Sequence, residues 1–420
     1  MTRKSLSLLM VLAVALVSMS FSAGAEDKGA DTRLKIAKAR LFMQTKQYNK
    51  ALDVVQDIRK TDPGNVEAIA LEAEANLDLG NRFKARELFD EAVKKSPEDP
   101  YVRKMQKELS RNSRISIDRE VQLTGSESVE QLVRAKAHVE VAQQDALGAV
   151  MENNKARYES VRRADGRIDT FYVKNKQRGE IYYDHYYMDG KQARVSLYAA
   201  DGTVGAGARY TSAAYDGGTT SVQLYIQRPE WEYREGVVDE GTRDAVIVTR
   251  TQELADRTYG ELSLGVNRYG IDNNPNAAHA FTADGGVSYL LPQGETLKKF
   301  VGEGGDLSLN YWLGAAYAFD KESRLDTTNT RFEPFPLDSY EFHTATLYLT
   351  RPITTGLTAE LYGGYIYDRL GDKGPHYGGA LAYAHDDFGV EARLFASRSI
   401  SSEESSDAYE RVGVNLTWKF

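Results

Sequence analysis

The chain has 420 residues, a formal charge of −8, 26 tyrosines and no cysteine. That length holds two domains, and the missing cysteine removes disulfides, thiolate metal sites and cysteine nucleophiles. After residue 25 nothing approaches the ~20 consecutive apolar residues of a membrane helix, so any membrane span must be made of strands, whose alternation dilutes the hydropathy signal.

Residues 1–25 read as a targeting segment. Arg3 and Lys4 give the positive start, Leu6 to Phe21 the apolar core, and Ala23-Gly24-Ala25 an A-x-A cleavage site before Glu26. The mature chain is therefore expected outside the cytoplasm. With no Cys after the cleavage site, the lipoprotein route is closed.

From Thr32 to Pro97 the sequence repeats itself. Ala39, Ala51 and Pro63 return 34 residues later as Ala73, Ala85 and Pro97, and 34 is the tetratricopeptide period. The alanines let two antiparallel helices approach closely, and each proline stops the second helix. Phe42, Val55, Ile58, Phe89 and Ala92 take the larger apolar sites of the resembled pattern. Lys35 stands where the family usually has a bulky apolar residue, and Asn76 where it has an aromatic. Asp99-Pro100 then opens a third helix, Tyr101 to Leu109, whose Lys, Arg and Glu read as a polar cap. Two repeats and a cap are fewer than the roughly three units an independent solenoid needs, so the module is expected to lean on something else.

The chain thus divides into a targeting segment (1–25), a helical repeat domain (26–110), a connection (111–129) in which Ile115 to Val121 has strand character, and a strand domain (130–420). Only Tyr48 and Tyr101 of the tyrosines precede residue 130, which suits strands and interfacial girdles in the later part. Alternation runs through Val133 to Val141, Ala193 to Ala199, Val222 to Ile226, Leu262 to Val266, Phe281 to Leu291, Leu307 to Phe319, Leu357 to Tyr367 and Val390 to Ala396. Asp-Gly, Asp-Asn, Gly-Asp and Asp-Asp pairs punctuate it. About sixteen strands result.

The last nine residues, Val412 to Phe420, alternate to the end of the sequence. A terminal strand leaves an open edge unless it pairs, and closure into a barrel supplies the pairing. This stretch resembles the closing strand of bacterial outer-membrane barrels, so Leu416, Trp418 and Phe420 are expected to act as a barrel-assembly signal. Counting strands back from a periplasmic C-terminus puts 399–406, 369–375, 321–338, 271–279 and 228–242 outside, and these are most of the long connections. The short ones at 386–387, 351–355 and 253–256 fall inside; 292–303 is a long exception. An even strand count starts the barrel in the periplasm, where the repeats are then expected.

Apolar-out alternation turns Arg134, Lys136, His138, Glu140, Glu261, Asn267, Glu360, Glu391 and Arg393 inward, as candidate pore-lining residues of a channel wide enough to stay wet. Tyr362 joins them, with Tyr182, Tyr186, Tyr198 and Tyr225, by strand parity. From residue 130 on, 42 acidic residues outnumber 31 basic ones, an excess that would draw cationic cargo if it faced the lumen. The six histidines are scattered without metal-ligand spacing, so no metal and no cofactor is expected. There is no phosphate-binding Gly loop, and no basic aromatic stripe for nucleic acid. His279 and His376, with Asp272 and Asp372 close in sequence, are the only outline of a hydrolytic site at the outer rim.

A targeting segment, tetratricopeptide repeats and a terminal barrel together resemble the outer-membrane exporters of bacterial exopolysaccharides, the group that carries poly-N-acetylglucosamine, cellulose or Pel. The resemblance spans residues 32–420 and implies an α + β two-domain chain: a non-enzymatic exit pore, with periplasmic repeats that engage the polymer or partner proteins. Those exporters usually carry many more repeats. A plugged receptor or assembly scaffold, similar to a phage receptor, shares the architecture; a rim hydrolase is a third reading. Lipid and the barrel-assembly machinery are expected partners in each.

Overall fold

The computed structural model describes residues 28–420 except 45–47, 80, 111–112, 125–127, 143, 188–189, 214–217, 232, 256, 273, 293, 303, 371–372, 386–387 and 401–407. The expected targeting segment lies outside these residues, as do Asp372 and the acidic residues Glu403, Glu404 and Asp407. The chain divides into two compact units after Ala75.

The first unit is helical. It contains α1 (Lys28–Gln44), α2 (Tyr48–Thr61) and most of α3 (Val66–Asp78). Ala39 and Ala51 are fully buried, and Ile36, Val55, Ile58, Ala68 and Leu71 join Ala39 in one core. α2 stops just before Asp62-Pro63, and Asn65 caps α3 by accepting the Ala68 N–H at 3.0 Å. Lys35 keeps its charge at the usual apolar site by pairing with Asp31 (3.1 Å) and Asp57 (2.8 Å).

The second unit opens with α4 (Arg82–Lys95) and α5 (Pro100–Ser110). Ala85, Leu88, Phe89 and Ala92 bury one face of α4, and the Phe89 ring meets Tyr101 edge-on at 6.4 Å. Asp99 caps α5: its Oδ1 accepts the N–H groups of Tyr101 and Val102. Asn76, at the usual aromatic site, is buried and accepts the Asn81 amide at 3.2 Å.

After the helices come β1 (Arg114–Thr124), β2 (Ser128–Ala142), β3 (Asp145–Tyr158), the hairpin β4 (Val161–Arg162) and β5 (Ile168–Asp169), β6 (Tyr172–Tyr186), β7 (Gln192–Ala200), β8 (Thr203–Ala213) and β9 (Thr219–Pro229). The short helix α6 (Arg234–Val238) precedes β10 (Thr242–Ala255), β11 (Thr258–Ile271) and β12 (Asn274–Leu290). Helix α7 (Glu295–Val301) leads to β13 (Asp306–Lys321), the hairpin β14 (Arg324–Leu325) and β15 (Arg331–Phe332), then β16 (Tyr340–Thr354), β17 (Leu357–Asp368), β18 (Lys373–His385), β19 (Val390–Ile400) and β20 (Ala408–Lys419). Leaving out the two small hairpins, sixteen antiparallel strands form a closed barrel, each paired with its neighbours in sequence and β20 paired with β1.

One boundary differs from expectation. The segment 111–129 holds β1, paired with β2 from Arg114↔His138 to Thr124↔Ser128, so the barrel starts at Arg114 and the connection is shorter. Arg119 stands in the outward row of Ile115, Ile117, Val121 and Leu123, and this charge on the apolar face broke the pattern. The distribution of connections follows the parity argument except at 271–279, where β11 runs to Ile271 and β12 already begins at Asn274. At the end bearing the start of β1 and the end of β20, here the terminal end, most links are short, and α7 occupies the long exception. At the opposite, loop end lie the long connections 159–171, 230–241 and 322–339.

Candidate functional site: a lidded lumen

Strand side chains alternate between two faces, so the register sorts each residue to the lumen or the outside. The outward rows are apolar and exposed, as in Leu197, Leu264, Leu361, Leu394 and Leu416. Trp418 and Phe420 end the outward row of β20, their rings 4.9 Å apart. The inward rows are polar. Arg134, Lys136, His138 and Glu140 on β2, Glu261 and Asn267 on β11, Glu360 and Tyr362 on β17, and Glu391 and Arg393 on β19 all lie on the inward face. Tyr182, Tyr186, Tyr198 and Tyr225 share it.

The inward charges largely neutralise one another. Glu152 takes hydrogen bonds from both Arg134 and Arg178, Lys136 pairs with Asp118 (3.0 Å), Arg194 forks onto Asp184 (2.8 and 2.7 Å), Arg411 holds Glu120, and Arg393 reaches Glu360 (2.8 Å). The acidic excess read from composition is therefore not a uniformly acidic lumen.

Aromatic rings line much of the wall, and sequence reasoning had missed most of them. Trp312, Phe342, Tyr348 and Phe395 face inward on β13, β16 and β19 beside Tyr362. Five of the inward rings lie over a glycine directly opposite on the next strand: Tyr182 over Gly148, Trp312 over Gly286, Phe342 over Gly314, Tyr362 over Gly378 and Phe395 over Gly413. A Cβ on any of these glycines would run into the ring. Flattened rings leave the lumen wide while presenting their faces to it. Tyr348 and Tyr362 stack at 4.9 Å, and Tyr348 is 40% exposed although it points inward, so the lumen at that level is open to solvent. The signal was present in the sequence as glycines at inward parity.

At the loop end the three long connections fold onto the inner wall and interlock. Arg163 donates to Asp239 (Nε to Oδ1, 2.6 Å) and to Asp169 (3.1 Å), and the Ala164 N–H reaches Asp239 Oδ2 at 2.7 Å. Arg324 donates to the Ala164 carbonyl (2.9 Å), Arg162 pairs with Asp326 (3.6 Å), and Arg234 donates to the Ser160 carbonyl (3.2 Å). Apolar side chains seal the arrangement. Phe335 stacks on inward Tyr269 at 5.1 Å and meets Tyr233 at 5.2 Å, with Leu337 fully buried beside Ala278 and Ala280. Val237 and Val238 of α6 pack on Tyr158 and Tyr172. Each such side chain contributes about 1.5–3 kcal/mol by leaving water, so this is a lid in place.

The lid also carries a titratable group outside the strands. Burial pushes the Glu235 carboxyl up, against the neighbouring Arg234 charge, and Asp239 and Asp338 push the same way. Arg163 is held charged even more firmly than usual, chiefly by its hydrogen bond to Asp239.

At the terminal end α4 leans into the rim. Arg86 makes a two-pronged bond to Glu140 (2.7 and 2.5 Å), and Phe83 packs on Tyr186 at 5.5 Å. Beside them is a cavity of about 560 Å³ lined by Arg82, Arg114, His138, Glu391 and Lys419 together with Phe83, Glu140 and Tyr186, on an arc from β18 through β1 to β6. His138 contacts the Tyr182 hydroxyl at 3.2 Å. Glu140 and Glu391, from opposite ends of the strand domain in sequence, thus meet at one mouth.

The histidines expected at a hydrolytic rim are apart. His279 lies outward in β12 beside Asp320 (3.3 Å) and Phe319, while His376 lies inward in β18 with Thr346 at 2.7 Å. The structure does not bring them together.

Comparison with known proteins agrees with this architecture. The tetratricopeptide-repeat family profile matches residues 42–109. No curated protein matches the chain in sequence. Among solved structures, the chain is similar to a bacterial polysaccharide outer membrane secretin at 7% identity and a TM-score of 0.50, over 73% of this chain and 98% of that one. It also aligns with the loop L8 deletion mutant of OmpT, an outer-membrane protein of Vibrio cholerae (10% identity, TM-score 0.36, 73% and 98% covered), and with OccK11 of Pseudomonas aeruginosa (10%, 0.36, 74% and 96%). At these identities the likeness is one of fold.

Proposed function

We propose that the chain is an outer-membrane pore that exports an exopolysaccharide, closed at rest by its own outer loops. The apolar outward belt suits lipid, the terminal end faces the periplasm, and the repeats there serve as a docking scaffold for polymer or partner proteins. The observation that carries the reading is the wet lumen walled by flat aromatic rings. A sugar polymer must slide rather than bind tightly, and ring faces offer its CH-rich surfaces a sequence of weak, non-directional contacts. The polysaccharide secretin of similar fold supports the same reading.

The packed lid supports a second reading, a plugged receptor or scaffold whose repeats bind a partner. Single-channel recording separates the two. The intact protein should conduct rarely, and removal of residues 322–339 should give a stable open channel that large neutral oligosaccharides enter and block. A barrel that stays silent with the loop removed would make it a receptor rather than a pore.

A further inference from the structure

The inward charges are unevenly placed. On β6 to β9 the lumen face carries Lys174, Lys176, Arg178, Arg194, Arg209 and Arg228 against Glu180 and Asp184. Both acids are committed, Asp184, fully buried, to Arg194 and Glu180 to the Ser196 hydroxyl at 2.7 Å, while Arg178 is held by Glu152 of β3 and Lys176 lies 3.9 Å from Asp201 and 4.0 Å from Glu240. Two arginine pairs stand directly opposite each other across strands, Arg194 with Arg209 and Arg228 with Arg243. Like charges in that position repel and cost stability.

Asp184 relieves the first pair only on the Arg194 side. Arg209 has its Nε buried without an acceptor, and Arg228 has no ion pair among the described residues. A buried donor left unmatched is a defect in a wall built only for stability. It is an asset in one that receives an anion. These cations are also interleaved with rings: Arg228 lies over Tyr225 at 4.7 Å and Tyr198 at 5.8 Å, Arg194 over Tyr182 at 3.8 Å, and Arg178 over Trp231 at 4.7 Å. Arg194 and Arg178 already spend donors on Asp184 and Glu152, whereas stacking over Tyr225 and Tyr198 fixes the Arg228 guanidinium plane and leaves its donor edge free to fork onto a carboxylate. At the terminal end the wall meets the cavity with Arg82 and Arg114, joined through His138 and Tyr182. From there it runs towards Trp231 and the lid.

We propose that this wall is the track for a carboxylate-bearing polysaccharide, with arginine forks taking the carboxylates and tyrosine faces taking the sugar rings. The inference rests on the export reading and names its substrate class as acidic. A saccharide is favoured over inorganic polyanions because the rings alternate with the cations, and phosphate chains have no face to stack. Cationic cargo, which the composition suggested, would meet Arg82, Arg114, Arg209 and Arg228 along this side.

The test uses the full chain in planar bilayers with the lid released by removal of residues 322–339. Oligogalacturonate added at the terminal side should block the current in salt-sensitive events, and R209Q with R228Q should shorten those events about tenfold. A neutral maltooligosaccharide of equal length should give brief blocks that the substitutions leave unchanged. Calorimetric titration of oligogalacturonate into the lid-closed protein and its double variant repeats the comparison without an open channel. Equal, substitution-insensitive blocking by acidic and neutral oligomers would overturn the acidic track and leave a polysaccharide pore. A conducting channel that no saccharide blocks would overturn the export reading itself, while polyphosphate held as long as oligogalacturonate would overturn the saccharide assignment.

Discussion

Gly286 and Trp312 face each other across β12 and β13, and the ring occupies the space a Cβ would need. The pair links a sequence choice to lumen width: with any larger residue at 286 the indole must leave the wall. Gly286→Ala is therefore expected to cost about 1–3 kcal/mol from overpacking, and to swing Trp312 into the lumen. Conductance of the lid-released channel should fall. Trp312→Ala in the same background should raise it, and a Gly286→Ala channel of unchanged conductance would show that the ring does not set the width. This kind of pair was only half legible. Strand parity alone turned Tyr362 and Glu360 inward, because a period of two leaves no other face. It did not show that Trp312, Phe342, Tyr348 and Phe395 belong to the lumen, since aromatics on strands serve lipid girdles equally well. What decides between the faces is the glycine opposite, and that pairing exists only once the register is known.

At the scale of elements, the lid was the least readable part. Its contacts join residues far apart in the chain: Arg163 meets Asp239 across 76 positions, and Arg324 reaches Ala164 across 160. Connections carry no hydrophobic period from which such contacts could be foreseen. The lid also has a pH dependence whose sign follows from Glu235. In the docked lid its carboxyl pKa is raised by burial; in a released lid it is solvated and ordinary. Below the ordinary carboxylate range both forms hold the proton and docking keeps its full strength. As pH rises through the raised value, the released form gains an ionisation the docked form resists, so this contribution is lost. Arg163 stays charged throughout, so its latch to Asp239 does not offset the trend from the arginine side. Openings of the intact channel should become more frequent as pH rises from the ordinary carboxylate range through the raised Glu235 value, and Glu235→Gln should flatten the profile. A profile unaltered by that substitution would assign the dependence elsewhere.

For the whole molecule, closure is the property on which the rest depends. β20 pairs residue by residue with β1 on one side and β19 on the other, so each lumen position is fixed by where the last strand lands. A slip of one residue would turn Arg411, Asn415 and Lys419 outward and Val412, Leu416 and Trp418 inward, which no barrel in lipid tolerates. Sixteen strands were countable from the alternation. The start of the barrel was not, because Arg119 interrupts β1. Phe420 adds little to the closed state itself: beyond its ring contact with Trp418, its N–H donates to the Ser113 carbonyl at 2.9 Å, a bond worth about 1 kcal/mol. If its role is recognition during assembly, removal should act on delivery more than on the finished barrel. Deleting Phe420 is then expected to lower the amount of barrel in the outer membrane severalfold in cells. The same variant refolded in detergent should unfold within about 1 kcal/mol of the parent. Full insertion in cells would count against an assembly signal. A large loss of stability in detergent would assign Phe420 instead to holding the seam between β20 and the segment that leads into β1.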